Sequence, residues 1–121
     1  MLKVHESTTA RGDLSPVYVR DDGGALVVVT AEGDFPLPDG ALDAVMARYG
    51  KPLEPGEALA GVATLDLGAG RALRHVRHLA RFDVIARDYL VYDRPDGEAL
   101  CALATTVAGA LEHLARAAQR Q

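Results

Sequence analysis

From Glu98 to Gln121 the chain reads EALCALATTVAGALEHLARAAQRQ, the longest uninterrupted helical pattern in its 121 residues. Leu100, Val107 and Leu114 recur at a heptad interval, and Leu103, Ala110 and Ala117 repeat it. Ala104, Leu111 and Ala118 widen the stripe into a face fit for burial. The spacing predicts a long C-terminal helix over about 97–119. Asp96 stands where an N-cap carboxylate would accept from the first free backbone amides, and Glu98 lies toward the positive end of the dipole. Arg116 and Arg120 fall at the negative end.

From Leu100 to Leu111 that pattern carries no charge on any side, whereas a helix resting on one sheet in water keeps a polar stripe. Its middle is therefore expected to be covered twice, by a loop of the same chain or by a second subunit. Ala102, Ala108 and Gly109 would permit close approach, so self-association as a homodimer, through this helix or a sheet edge, is the expectation. The uncharged run is too short to cross a bilayer, and Glu98 and Glu112 bracket it.

Working back toward the N-terminus, Arg94-Pro95-Asp96-Gly97 reads as a turn, preceded by a strand from Val84 to Asp93. The stretch from Arg71 to Phe82 fits two periods. Leu73, Val76 and Ala80 suit a helix, while Ala72, Val76, Ala80, Phe82, Val84 and Ala86 suit one face of a strand. A strand is favoured, because Gly68-Ala69-Gly70 makes a natural turn after a strand over Ala58 to Leu67 and no N-cap residue precedes Arg71. Pro38-Asp39-Gly40 opens a short helix over about 39–49, in which Leu42, Val45, Met46 and Tyr49 keep the helical spacing and Gly50 closes it. Val17 to Arg20 and Ala25 to Thr30 flank Asp21-Asp22-Gly23-Gly24, the clearest hairpin of the chain, and Met1 to Ser7 alternates as an edge strand would. Pro-Asp-Gly occurs twice, at Pro38 and at Pro95, but the residues around the two triplets do not align, so shared turn chemistry suffices. The expected fold is α+β: one domain over 1–121, with an antiparallel sheet of about five strands and both helices packed on one face.

Composition bounds the function. At 49% hydrophobic and 25% charged residues the chain has ordinary globular usage, and a net charge of −4 offers no global attraction to nucleic acid or acidic membranes. The richness in Ala, Arg, Asp and Gly matches a high-GC bacterial genome. A single cysteine excludes an intrachain disulfide, and Met1 to Ala10 carries Lys3, His5 and Glu6 in place of a signal peptide's apolar core, so a cytoplasmic protein is expected. Arg11-Gly12-Asp13 spells a cell-adhesion tripeptide, which in such a protein is read as chance.

The one local asymmetry runs from Arg71 to Arg87, where Arg71, Arg74, Arg77, Arg81 and Arg87 with His75 and His78 face only Asp83. On a strand, His75, Arg77, Arg81 and Arg87 share a face with Arg71, successive positions lying roughly 7 Å apart. Guanidinium forks at that spacing grip carboxylates or phosphates. Those four residues are the candidate anion site, with His75 suited to acid or base work. Few aromatic residues are at hand to stack bases, which disfavours nucleic acid. His75 and His78 fall on opposite sides of a strand and lack a third ligand, so no metal is expected. Cys101 sits among Leu100, Ala102 and Leu103 and reads as a small buried hydrophobe. No phosphate loop, dinucleotide fingerprint or nucleophile elbow is present, and no cofactor is implied. The leading expectation is a non-catalytic binding or interaction module that forms a homodimer. The alternative is an enzyme or sensor of a small anionic metabolite held by the Arg/His-rich strand.

Overall fold

The computed structural model describes residues 1–79 and 87–120. The first four strands, β1 (Leu2–Thr8), β2 (Leu14–Asp22), β3 (Ala25–Thr30) and β4 (Gly33–Pro36), form an antiparallel meander in chain order. Strand alternation sends Leu2, Val4, Val17, Val19 and Val28 to one face, where all are buried. At the β2–β3 turn Gly23 and Gly24 adopt φ of +64° and +97°, and the Asp21 carboxylate accepts from the Gly24 amide at 3.0 Å.

Helix α1 (Ala41–Tyr49) follows and buries Ala41, Leu42, Val45 and Met46. Gly50 ends it by donating to the Met46 carbonyl at 2.8 Å, so close that a Cβ on Gly50 would stand 2.5 Å from that oxygen. A second antiparallel sheet then builds up in the order β5 (Lys51–Pro52), β11 (Ala99–Leu103), β10 (Tyr89–Asp93), β8 (Arg71–Val76), β7 (Ala63–Gly68). A short pair, β6 (Leu59–Ala60) with β9 (His78–Leu79), stands beside it. The chain ends in α2 (Ala104–Ala118).

The α+β class and antiparallel pairing agree with the sequence reading, and so do the strand at Arg71 and the position of the short helix. The strand face expected to continue through Ala80, Phe82, Val84 and Ala86 lies outside the described residues. Two details differ. First, the expected single sheet is two, because α1 interrupts the run of hairpins after β4 and the second sheet starts anew. Second, α2 begins at Ala104, not near residue 97, and Ala99–Leu103 is a strand. Every residue from Tyr89 to Tyr92 is buried, so the backbone of β10 needs ladder partners on both edges. β8 supplies one edge, and Ala99–Leu103 pairs along the other from Asp93↔Ala99 to Tyr89↔Leu103. That demand overrides the helical spacing of Leu100 and Leu103, which holds only locally. Asp96 accordingly caps no helix. Its carboxylate accepts from the Glu98 amide at 2.9 Å inside the β10–β11 turn, which Arg94 closes by donating to the Glu98 carbonyl at 2.9 Å.

The two helices lie in a core shared by both sheets. Val4, Val19 and Val28 of the first sheet, Leu73, Leu90 and Tyr92 of the second, Leu42 and Met46 of α1, and Val107 and Leu111 of α2 make one cluster. Arg116 fastens the end of α2 to the first sheet, stacking 4.5 Å from the Phe35 ring centre and pairing with Glu32 and Glu112, each at 3.0 Å. The opposite face of the second sheet holds a smaller cluster of Val76, Leu79, Tyr89, Val91 and Cys101, against which Leu53, Leu59 and Ala99 pack among the described residues. Both halves of the chain thus run through a four-stranded meander (β1 to β4, then β7, β8, β10 and β11) into a helix. The two Pro-Asp-Gly triplets stand at unlike places in this plan, before α1 and within the β10–β11 turn.

Candidate functional site

The arginines of the 71–87 stretch divide by partner. Arg74 on β8 reaches Asp93 on β10 through two hydrogen bonds of 2.8 and 2.7 Å, a bidentate pair across neighbouring strands. Arg71 donates from Nε to the Tyr92 hydroxyl at 2.7 Å, and that hydroxyl donates to Asp43 Oδ1 at 2.5 Å, clasping α1 to the second sheet. Burial first, and then the hydrogen bond to Asp43, pushes the Tyr92 hydroxyl pKa above its ordinary value. These two cations hold the fold together and are engaged.

Arg77 and Arg87 are different. Both are exposed, and among the described residues neither pairs with an acid. Gly61, at φ +65°, brings its backbone against the Arg77 stem, and a Cβ there would meet Arg77 Cβ and Cγ at 3.1 and 3.2 Å. His75 is buried beside them. Its Nε2 has no hydrogen-bond partner and stands 3.5 Å from Asp88 Oδ1. Burial lowers its pKa, and Arg77 and Lys3 push the same way against the pull of Asp88, so the imidazole is held neutral. His75 and Arg77 line a groove of about 240 Å³ with Lys3, His5, Glu6 and Asp88. Arg77 and Arg87 line an adjoining one that reaches Leu103 and Thr105 at the start of α2. Of the four expected anion ligands, the structure therefore sets His75 and Arg77 in one groove and Arg77 and Arg87 in the next. Arg81, the fourth, lies outside the described residues. Glu6 and Asp88, which the strand alternation gave no reason to place there, share the groove and offset part of its charge.

Another recess near this stretch was not legible in the sequence. It holds about 480 Å³ and opens between β5 and the start of α2. Tyr89 and Cys101, each 7% exposed, form its floor, Leu53 and Leu103 its walls, and Lys51 and Arg87 its rim. Reading Ala99–Leu103 as helix hid it. As a strand, Cys101 and Leu103 point to the face opposite Leu100 and Ala102, toward this recess. The available signal was Asp96-Gly97 flanked by two apolar runs, the pattern of a hairpin.

Among the described residues no three His, Cys, Asp or Glu side chains gather as they would to hold a metal ion. Nor is any helix among them long and apolar enough to cross a membrane. No protein-family model, curated protein or solved structure matches the chain, so the functional reading rests on this geometry.

Proposed function

We propose that the protein is a non-catalytic binding module that acts as a homodimer through the outward side of α2. The observation that carries this reading is an uncharged strip on that helix. The inward side, Val107, Ala108 and Leu111, is buried in the shared core, while Thr105, Thr106 and Gly109 face outward and are exposed. Beside the strip, α1 and α2 enclose a groove of about 460 Å³ bordered by Val45, Tyr49, Ala110 and Leu114 together with Arg48 and His113. A partner helix laid against Gly109 can approach closely, since nothing stands within 4 Å of the place where its Cβ would be. The same open space supplies the test. Gly109→Arg puts a long cation on the strip, its Cβ entering open space. Sedimentation velocity is expected to show a dimer for the native chain and a monomer for the variant, with matching circular dichroism. A native chain that sediments as a monomer at high concentration removes the reading.

A second reading, an enzyme or sensor of a small anionic metabolite, is favoured by Arg77 and Arg87 alone, two exposed guanidinium groups with no acid partner among the described residues. The covered Nε2 of His75 and the nearby Glu6 and Asp88 count against it. A rise in unfolding temperature with one anion, absent in Arg77→Ala, would decide for it.

A further inference from the structure

The recess over β5 and β11 combines exposed apolar side chains with cations on its rim. Its volume of about 480 Å³ is that of a small-molecule site. Its floor and walls are apolar, and of the five large hydrophobic side chains most exposed among the described residues, Tyr49 at 40% and Leu103 at 37% both border it. Apolar surface left in contact with water inside a concavity is what a hydrophobic ligand covers. On the rim, Lys51 and Arg87 are exposed and neither has an acidic partner among the described residues. The other cations of the second sheet are engaged, Arg74 by Asp93 and Arg71 by Tyr92 and Asp43. Two unengaged cations on one rim, in a chain of net charge −4, set the sign of what the recess accepts. Among the described residues the lining carries Lys51 and Arg87 and no carboxylate, which suits an anionic head group.

We propose that this recess binds an amphipathic monocarboxylate, its hydrocarbon part against Leu53, Tyr89 and Leu103 and its carboxylate between Lys51 and Arg87. The hydrophobic contact supplies affinity in proportion to the area covered, and the guanidinium fork orients the head group. The recess adjoins the self-association strip proposed above, sharing Thr106 and Tyr49 with it, but Gly109 is not among its lining residues.

Octanoate is a suitable probe, with octan-1-ol as its uncharged counterpart and acetate as a head group without a chain. Isothermal titration calorimetry is expected to show saturable binding of octanoate, about tenfold or more weaker binding of octanol, and none of acetate. Methyl resonances of Leu53 and Leu103 should move with octanoate while those of the shared core, such as Leu42 and Leu111, stay. In Lys51→Gln/Arg87→Gln the preference for octanoate over octanol should vanish with the unfolding temperature unchanged. Equal affinity for octanoate and octanol in the native chain, shifts scattered over the whole surface, or an unaltered preference in the double variant would each overturn the proposal. Gly109→Arg should bind octanoate as the native chain does, so failure of the dimer reading and failure of this one are read separately.

Discussion

Replacing Tyr92 by Phe tests the clasp between α1 and the second sheet with little disturbance to packing. The ring is 1% exposed and remains in place, so no cavity is made. What disappears is one hydroxyl that accepts from Arg71 Nε at 2.7 Å and donates to Asp43 Oδ1 at 2.5 Å. Each is a hydrogen bond to a charged group, worth about 1.5–3 kcal/mol net when fully sheltered. Neither partner is fully sheltered. The Asp43 side chain is 56% exposed and can hydrate, and Arg71 Nη2 already stands 3.5 Å from Asp43 Oδ2, so the pair can close up without the hydroxyl. These offsets reduce the expected loss to about 2 kcal/mol. For 121 residues the entropy of unfolding is about 0.25 kcal/mol per degree, so the melting temperature should fall by about 8 °C. The chain holds no tryptophan, so urea unfolding is best followed by far-ultraviolet circular dichroism, with the slope expected to stay constant and the midpoint to fall. A double-mutant cycle with Asp43→Asn should show coupling of about 1 kcal/mol or more. A loss below about 0.5 kcal/mol, or strict additivity with Asp43→Asn, would refute the view that this hydroxyl joins the helix to the sheet.

Two glycines should respond in opposite directions to the same substitution. Gly50→Ala drives a Cβ to 2.5 Å from the Met46 carbonyl and 3.0 Å from Leu100 Cβ, and should cost about 1–3 kcal/mol in denaturant titration. Gly109→Ala meets nothing within 4 Å and removes the entropic penalty of glycine in a helix, so it should stabilise by about 0.5–1 kcal/mol. His75 should titrate by nuclear magnetic resonance below its ordinary 6.5, chiefly because burial disfavours the imidazolium. With the folded value lowered, the unfolded chain binds more protons below pH 6.5, so stability is full above that pH and falls on acidification toward the folded value. His75→Gln should flatten that acid limb, and an unchanged limb would mean that another group sets it.

Much of the architecture was written in short-range pattern. Val17 to Thr30 alternates around Asp-Asp-Gly-Gly, and Leu42, Val45, Met46 and Tyr49 follow the helical period up to Gly50. In both cases neighbours along the chain supply the turn chemistry and the buried face, so no distant residue is needed to choose the element.

Other features depended on partners far away in sequence. Ala99–Leu103 suits either element by itself. It becomes a strand because β10, buried on both faces, has an open edge there, and Lys51–Pro52 then closes the outer edge. Which arginines are engaged was equally out of local reach, since Arg74 finds Asp93 and Arg71 finds Tyr92 only through the register of β8 against β10. The recess beneath Arg87 arises where β5, β11 and the start of α2 meet, three segments that pattern places in no particular order. Periodicity along a chain specifies the face a residue turns toward. What waits on that face is set by long-range pairing of backbone groups that must find partners once they leave water.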